Sequence, residues 1–119
     1  MNLYFDGASK GNPGESSAAS VIFTDNEIIY KSIYYKNATN NESEYNGLII
    51  GLETAIENGI KNINVYGDSK LVIMQSQNLW KVKSPNLISL HSKVIELKKH
   101  FDSINFYHVL RENNKIADK

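Results

Sequence analysis

At 119 residues the chain has room for one domain with a single core. Its 41% hydrophobic and 22% charged residues match an ordinary globular protein; with no long apolar run, no signal-peptide pattern and no cysteine, the expectation is a chain without membrane partner, disulfide or thiolate-bound zinc, at home in the cytoplasm or wherever its genome replicates. The formal net charge is zero but unevenly spread: residues 1–68 hold 9 acids and 4 bases, and residues 69–119 hold 4 acids and 9 bases.

Residues 2–6 alternate, with Leu3 and Phe5 on one face, and predict a strand. Lys10 to Gly14 is turn sequence. Residues 17–24 and 27–36 are β-rich, and Asp25-Asn26 between them suits a two-residue hairpin turn. The first third therefore predicts an antiparallel meander. Glu44, Tyr45, Leu48, Ile49, Leu52, Ala55 and Ile56 then recur at helical spacing, and Asn58-Gly59 ends that helix. Ile63 to Tyr66 is a short strand, and Asp68-Ser69 can cap a helix through about Gln77. Ser84-Pro85 opens a third helix striped by Leu87, Leu90, Val94 and Leu97. Ile104 to Val109 is β-like, and Asn113 onward resembles the start of another helix. The order βββ-α-β-α-α-β-(α) predicts a single α/β domain over residues 1–119, with a mixed sheet and helices on its faces.

Four carboxylates stand out, each with a plainer alternative. Asp6, ending the first strand before Gly7, suits a turn aspartate; Asp68 suits an N-cap. Glu44 on the apolar stripe suits a capping box with Asn41 at N-cap, and Asp118 suits a solvated surface charge. Taken together they carry more. Asp6 and Asp68 follow strands whose C-terminal ends are where sites form in sheets with helical crossovers, and Glu44 opens the helix between them. Converging carboxylates are costly unless cations neutralise them, and an all-oxygen donor set selects Mg²⁺ or Mn²⁺. Two such ions roughly 4 Å apart clamp the attacking and leaving oxygens of a phosphodiester. The acidic first half beside a basic second half suits such a cluster next to a phosphate-binding surface.

The run Tyr4-Phe5-Asp6-Gly7-Ala8-Ser9-Lys10-Gly11-Asn12-Pro13-Gly14 resembles the opening of type I ribonuclease H enzymes. Thr39 to Tyr45, Tyr66 to Ser69 and His108 to Asp118 resemble the family's three further motifs, in order and with similar spacing. The resemblance implies a ribonuclease H-like fold with sheet order 3-2-1-4-5 and helices on both faces. It implies endonucleolytic hydrolysis of the RNA strand of an RNA/DNA hybrid by a monomer with two Mg²⁺ ions (Mn²⁺ as substitute), leaving a 5′-phosphate and a 3′-hydroxyl. By the same resemblance Asp6, Glu44, Asp68 and Asp118 are the metal ligands. Gly11, Asn12, Asn40 and Asn41 match positions that touch the hybrid, Thr39 matches one near a DNA phosphate, and His108 matches a mobile histidine that assists product release; Arg111, a permanent cation near the scissile phosphate, is the alternative helper. Short amides suit an A-like minor groove, which displays 2′-hydroxyls.

The chain departs from the pattern twice. Many type I enzymes carry a basic insertion between their middle helices, whereas this chain has only Gln77 to Pro85, as in compact members. There Lys81 and Lys83 with Trp80 provide a reduced grip, with Trp80 either on the nucleic-acid backbone or in the core. Family members also continue with a helix after the last aspartate, so the expectation here is a missing C-terminal helix and a fragment weakened by it. Two other readings compete: a non-catalytic binder of hybrid or double-stranded RNA, and another nuclease or nucleotidyl transferase of the same fold, such as a resolvase or integrase core.

Overall fold

In the computed structural model, which describes residues 1–114, the meander consists of β1 (Asn2–Gly11), β2 (Gly14–Phe23) and β3 (Ile28–Ala38), paired antiparallel in sequence order. The strands are longer than their apolar patterns suggest. All of β1 finds a partner on β2, from Asn2↔Phe23 to Gly11↔Gly14, so the expected Lys10–Gly14 turn contracts to Asn12-Pro13. Gly7, Ala8 and Ser9 have weak β propensity; cross-strand pairing, not local preference, keeps them extended. Asp25-Asn26 forms the next hairpin tip, inside a Thr24 N–H to Glu27 carbonyl bond of 3.0 Å.

Helix α1 (Asn40–Glu57) follows and ends at Asn58, with Gly59 taking a left-handed φ of 72°. Next come β4 (Asn62–Gly67), α2 (Lys70–Ser76) capped by the Ser69 side chain, α3 (Pro85–Lys98) with its first-turn proline, and β5 (Ser103–His108). β4 pairs parallel with both β1 and β5, giving the expected order β3-β2-β1-β4-β5. A short 3₁₀ turn, Arg111–Asn113, stands where the next helix was expected to begin.

One core unites the three helices with one sheet face. Leu3 and Phe5 of β1, Val65 of β4, Leu48 and Leu52 of α1, Val72 of α2 and Val94 of α3 are fully buried in it. Each such side chain contributes about 1.5–3 kcal/mol through burial. Across the opposite face Tyr4, Tyr66 and Tyr107 stack at 4.8 and 5.1 Å, and Phe23 meets Tyr4 edge-on. Helices were expected on both faces; among the described residues they cover only the first. Among the described residues no helix is long and apolar enough to cross a membrane.

Two close approaches place α1 on the sheet. A Cβ at Gly47 would lie 2.6 Å from the Asp6 carbonyl oxygen, and one at Gly7 would lie 2.2 Å from the Ser43 carbonyl carbon. Only glycine admits backbone this near to backbone.

Candidate active site

Asp6 is not at the end of its strand, as the sequence suggested, because β1 runs on to Gly11. It is nevertheless at the end of a ladder. β4 stops at Gly67, opposite Phe5, so Asp6 is the first β1 residue past the parallel pairing. Asp68 is the first residue after β4. The two aspartates thus stand side by side because the neighbouring strand ends, not because their own strands both do.

Glu44 reaches them from the first turns of α1. The capping box that competed for it is made by other residues. The Thr39 hydroxyl accepts the Glu42 N–H at 3.1 Å, and the Thr39 N–H donates to Glu42 Oε1 at 2.8 Å. The Asn41–Glu44 box is therefore excluded. Likewise Ser69, not Asp68, caps α2, accepting the Val72 N–H at 3.3 Å.

Carboxylate oxygens of Asp6, Glu44 and Asp68 all lie within 4.8 Å of one another. Asp6 is 8% exposed and accepts the Gly7 N–H at 2.9 Å through Oδ1. Burial, and then the charges of Asp6 and Asp68, push the Glu44 carboxyl up to about 10; the Gly7 backbone opposes this weakly. Glu44 Oε1 is buried without a hydrogen-bond partner. That buried acceptor faces two more carboxylates, and the ligand atoms offered are all oxygen. Both properties fit a hard divalent cation of the Mg²⁺ or Mn²⁺ kind. Asp118 lies outside the described residues.

The other expected residues lie around this cluster. His108 ends β5, and its ring Nε2 donates to the Asp68 carbonyl at 3.2 Å, so it braces the backbone of a cluster residue from a strand. Arg111 is exposed in the 3₁₀ turn. Asn12 Oδ1 accepts the Asn40 N–H at 3.1 Å, and Asn40 Oδ1 accepts from the Ser9 N–H at 3.0 Å and the Ser9 hydroxyl at 2.8 Å. Backbone N–H groups require oxygen as their acceptor, which orients both amides and turns their NH₂ groups away from these bonds. Asn41 is exposed, and Gly11 holds the adjoining turn at φ 82°. Trp80 is 42% exposed with the Lys70 ammonium 5.9 Å from its ring, so it is a surface ring and not a core anchor.

Sequence reasoning assigned no individual role to Asn114, which is fully buried and donates Nδ2–H to the Phe5 carbonyl at 2.9 Å, immediately before Asp6. It also missed Gln75, 4% exposed on α2. That residue had a signal: it lies three positions after Val72, on the helix side that also buries Ile73 and Ser76.

A family profile described as reverse transcriptase-like matches residues 4–119. The chain is 39% identical over 117 residues to the bifunctional protein Rv2228c of Mycobacterium tuberculosis, covering 96% of this chain and 32% of that protein. It is 38% identical over 120 residues to the ribonuclease HI of Halobacterium salinarum, covering 99% of this chain and 60% of that protein. The chain thus spans about a third of the first relative and three fifths of the second. The crystal structure of LC11-RNase H1 in complex with an RNA/DNA hybrid superposes with a TM-score of 0.90 at 33% identity, covering 98% of this chain and 90% of that one.

Proposed function

We propose, on the premise that the chain belongs to the ribonuclease H family, that it hydrolyses the RNA strand of RNA/DNA hybrids, leaving 5′-phosphate and 3′-hydroxyl ends. The observation that carries this reading is the meeting of Asp6, Glu44 and Asp68, drawn from β1, α1 and the end of β4, within 4.8 Å. A binding module gains nothing from clustered negative charge where phosphates must approach. An enzyme gains a place to hold cations. Asp6, Glu44, Asp68 and Asp118 would hold two divalent ions, Mg²⁺ or Mn²⁺, supplying the positive charge that an in-line phosphodiester displacement requires.

The remaining roles concern the chain's own groups. The outward NH₂ groups of Asn12 and Asn40, with Asn41 beside them, donate hydrogen bonds in the hybrid's minor groove, and Gly11 lets the backbone come close. The Thr39 hydroxyl, which accepts within the capping box, keeps its proton for a phosphate of the DNA strand. Trp80 and its neighbouring lysines face the sugar-phosphate backbone. Arg111 supplies a permanent cation near the scissile phosphate, and His108 steadies Asp68. The protein acts as a monomer.

The test is cleavage of a labelled RNA/DNA hybrid, single-stranded RNA and double-stranded DNA, each with Mg²⁺, Mn²⁺ or EDTA, by the wild type and Asp6→Asn. The expected result is metal-dependent cutting of the hybrid's RNA strand alone, lost in Asp6→Asn. Binding of the hybrid without cutting would make the chain a binding module. Cutting of double-stranded DNA would overturn the substrate assignment.

A further inference from the structure

The segment 77–84 joins α2 to α3 without regular structure, yet it is tied down from three sides. Its first tie is local: the Leu79 and Trp80 N–H groups reach the Met74 carbonyl at 3.0 and 3.4 Å. The second comes from α1. The Tyr45 hydroxyl, fully buried, donates to Gln75 Oε1 at 2.6 Å, and Gln75 Nε2 donates to the Lys81 carbonyl at 3.1 Å. The third comes from α3. His91 Nε2 lies 3.0 Å from the Gln75 carbonyl and 3.1 Å from Asn78 Oδ1. Both neighbours are acceptors, so this nitrogen carries the proton and bridges them. Asn78 sits at a left-handed φ of 60°, where the chain turns sharply out of α2.

The chemistry of Gln75 is specific. Its oxygen answers a donor, and its nitrogen answers an acceptor, both in a buried place. Neither glutamate nor leucine can do both, and a half-satisfied buried amide costs more than it contributes. What this holds in place is exposed: Trp80, and Lys81 and Lys83 beside it. Lys70, two residues after Asp68, places its ammonium 5.9 Å from the Trp80 ring, which links the segment to the start of α2, the end that follows Asp68. Tyr45, the origin of the relay, is the neighbour of Glu44 in α1. A plain connection between two helices has no need of a buried amide; a stacking ring that must meet a polyanion at a set distance from the reacting centre does.

We propose that Gln75, held by Tyr45 and seconded by His91, is a positioning residue that presents Trp80 and its flanking lysines to the nucleic-acid backbone, so that it sets affinity for the hybrid and not the chemical step. This rests on the hydrolase reading for the identity of the ligand, but not for the positioning itself.

The experiment uses Gln75→Leu, Tyr45→Phe, His91→Leu and the conservative His91→Gln, whose amide nitrogen replaces the ring N–H. Affinity for a labelled RNA/DNA hybrid is measured by anisotropy in the non-cutting Asp6→Asn background, and turnover at saturating hybrid in the otherwise wild-type protein. Because Trp80 is the chain's one tryptophan, its fluorescence and acrylamide quenching report the segment directly. Losing one such bond should weaken hybrid binding about five- to tenfold. Saturated turnover should stay within about twofold, Trp80 quenching should rise, and His91→Gln should behave as wild type. Unchanged affinity with unchanged quenching would overturn the proposal, as would turnover falling in step with affinity in every variant, His91→Gln included. If the unaltered chain binds no hybrid, the hydrolase reading falls. The quenching result then still decides whether Gln75 holds Trp80.

Discussion

Asn114 donates its side-chain N–H to the Phe5 carbonyl oxygen over 2.9 Å, with none of its own surface exposed. Phe5 is the last β1 residue to face β4, so the asparagine provides a donor where the ladder runs out. It thereby ties the C-terminal segment to the backbone of the residue preceding Asp6. Replacing Asn114 with alanine leaves a buried carbonyl unsatisfied and should lower the unfolding free energy by about 1–3 kcal/mol, read in urea melts. Wild-type stability in that variant would mean that the bond is not kept in solution.

Glu44→Gln should separate stability from activity. The Glu44 carboxyl is pushed up to about 10 from an ordinary 4.5, chiefly by burial, so the fold favours its protonated form. That contribution is fully present below the ordinary value and is lost as pH rises toward the folded one, because the unfolded chain gives up the proton first. Without metal, the melting temperatures of wild type and Glu44→Gln should agree near pH 4 and diverge as pH rises, with the glutamine variant the more stable. Hybrid cleavage should fall by about 100-fold or more, as expected when charge stabilisation worth several kcal/mol is removed. Parallel melting curves across pH would refute the assignment of strain to this carboxyl.

Divalent cations should reverse that strain. A cation that binds only the folded cluster stabilises it by about 2.7 kcal/mol at a hundred times its dissociation constant. Thermal melts of wild type with rising Mn²⁺ should therefore shift upward, and those of Asp6→Asn should shift much less. Equal shifts in both would place the cation elsewhere.

Gly7→Ala tests the approach of α1 to β1. The added Cβ would lie 2.2 Å from the Ser43 carbonyl carbon and 2.5 Å from the Glu44 nitrogen, both of them backbone. Backbone cannot rotate aside as a side chain does, so the cost should reach or exceed about 3 kcal/mol, the upper end for overpacking. The first turn of α1 must move, and Glu44 with it. The expected outcome is a lower urea midpoint together with a higher half-saturating Mn²⁺ concentration. Normal Mn²⁺ saturation in a folded variant would show that the cluster tolerates the shift.

Much of the architecture was legible before any coordinates. The stripe from Tyr45 to Ile56 and the Ser84-Pro85 start marked helices because burial demands a regular apolar period. The element order called for a mixed sheet with helix-linked strands, and the order 3-2-1-4-5 was what the resemblance to the ribonuclease H family implied. Strand lengths were not legible: Gly7 to Gly11 has no apolar period, and only its pairing with Gly14 to Ala18 keeps it extended. Asp6 was identified for a strand end it does not occupy.

Residue types and their order along the chain thus determined the fold class and named Asp6, Glu44 and Asp68 as candidates, because helical and strand periods and turn chemistry are local properties. Tertiary structure alone decided that their oxygens meet within 4.8 Å, that Thr39 and Glu42 form the cap and leave Glu44 to the cluster, and that Trp80 is a surface ring. It alone revealed Asn114 on Phe5 and Gln75 between Tyr45 and Lys81. A hydrogen bond spanning 30 or 109 positions leaves no period in the sequence, since the two partners come together only when the sheet and its helices close on one core.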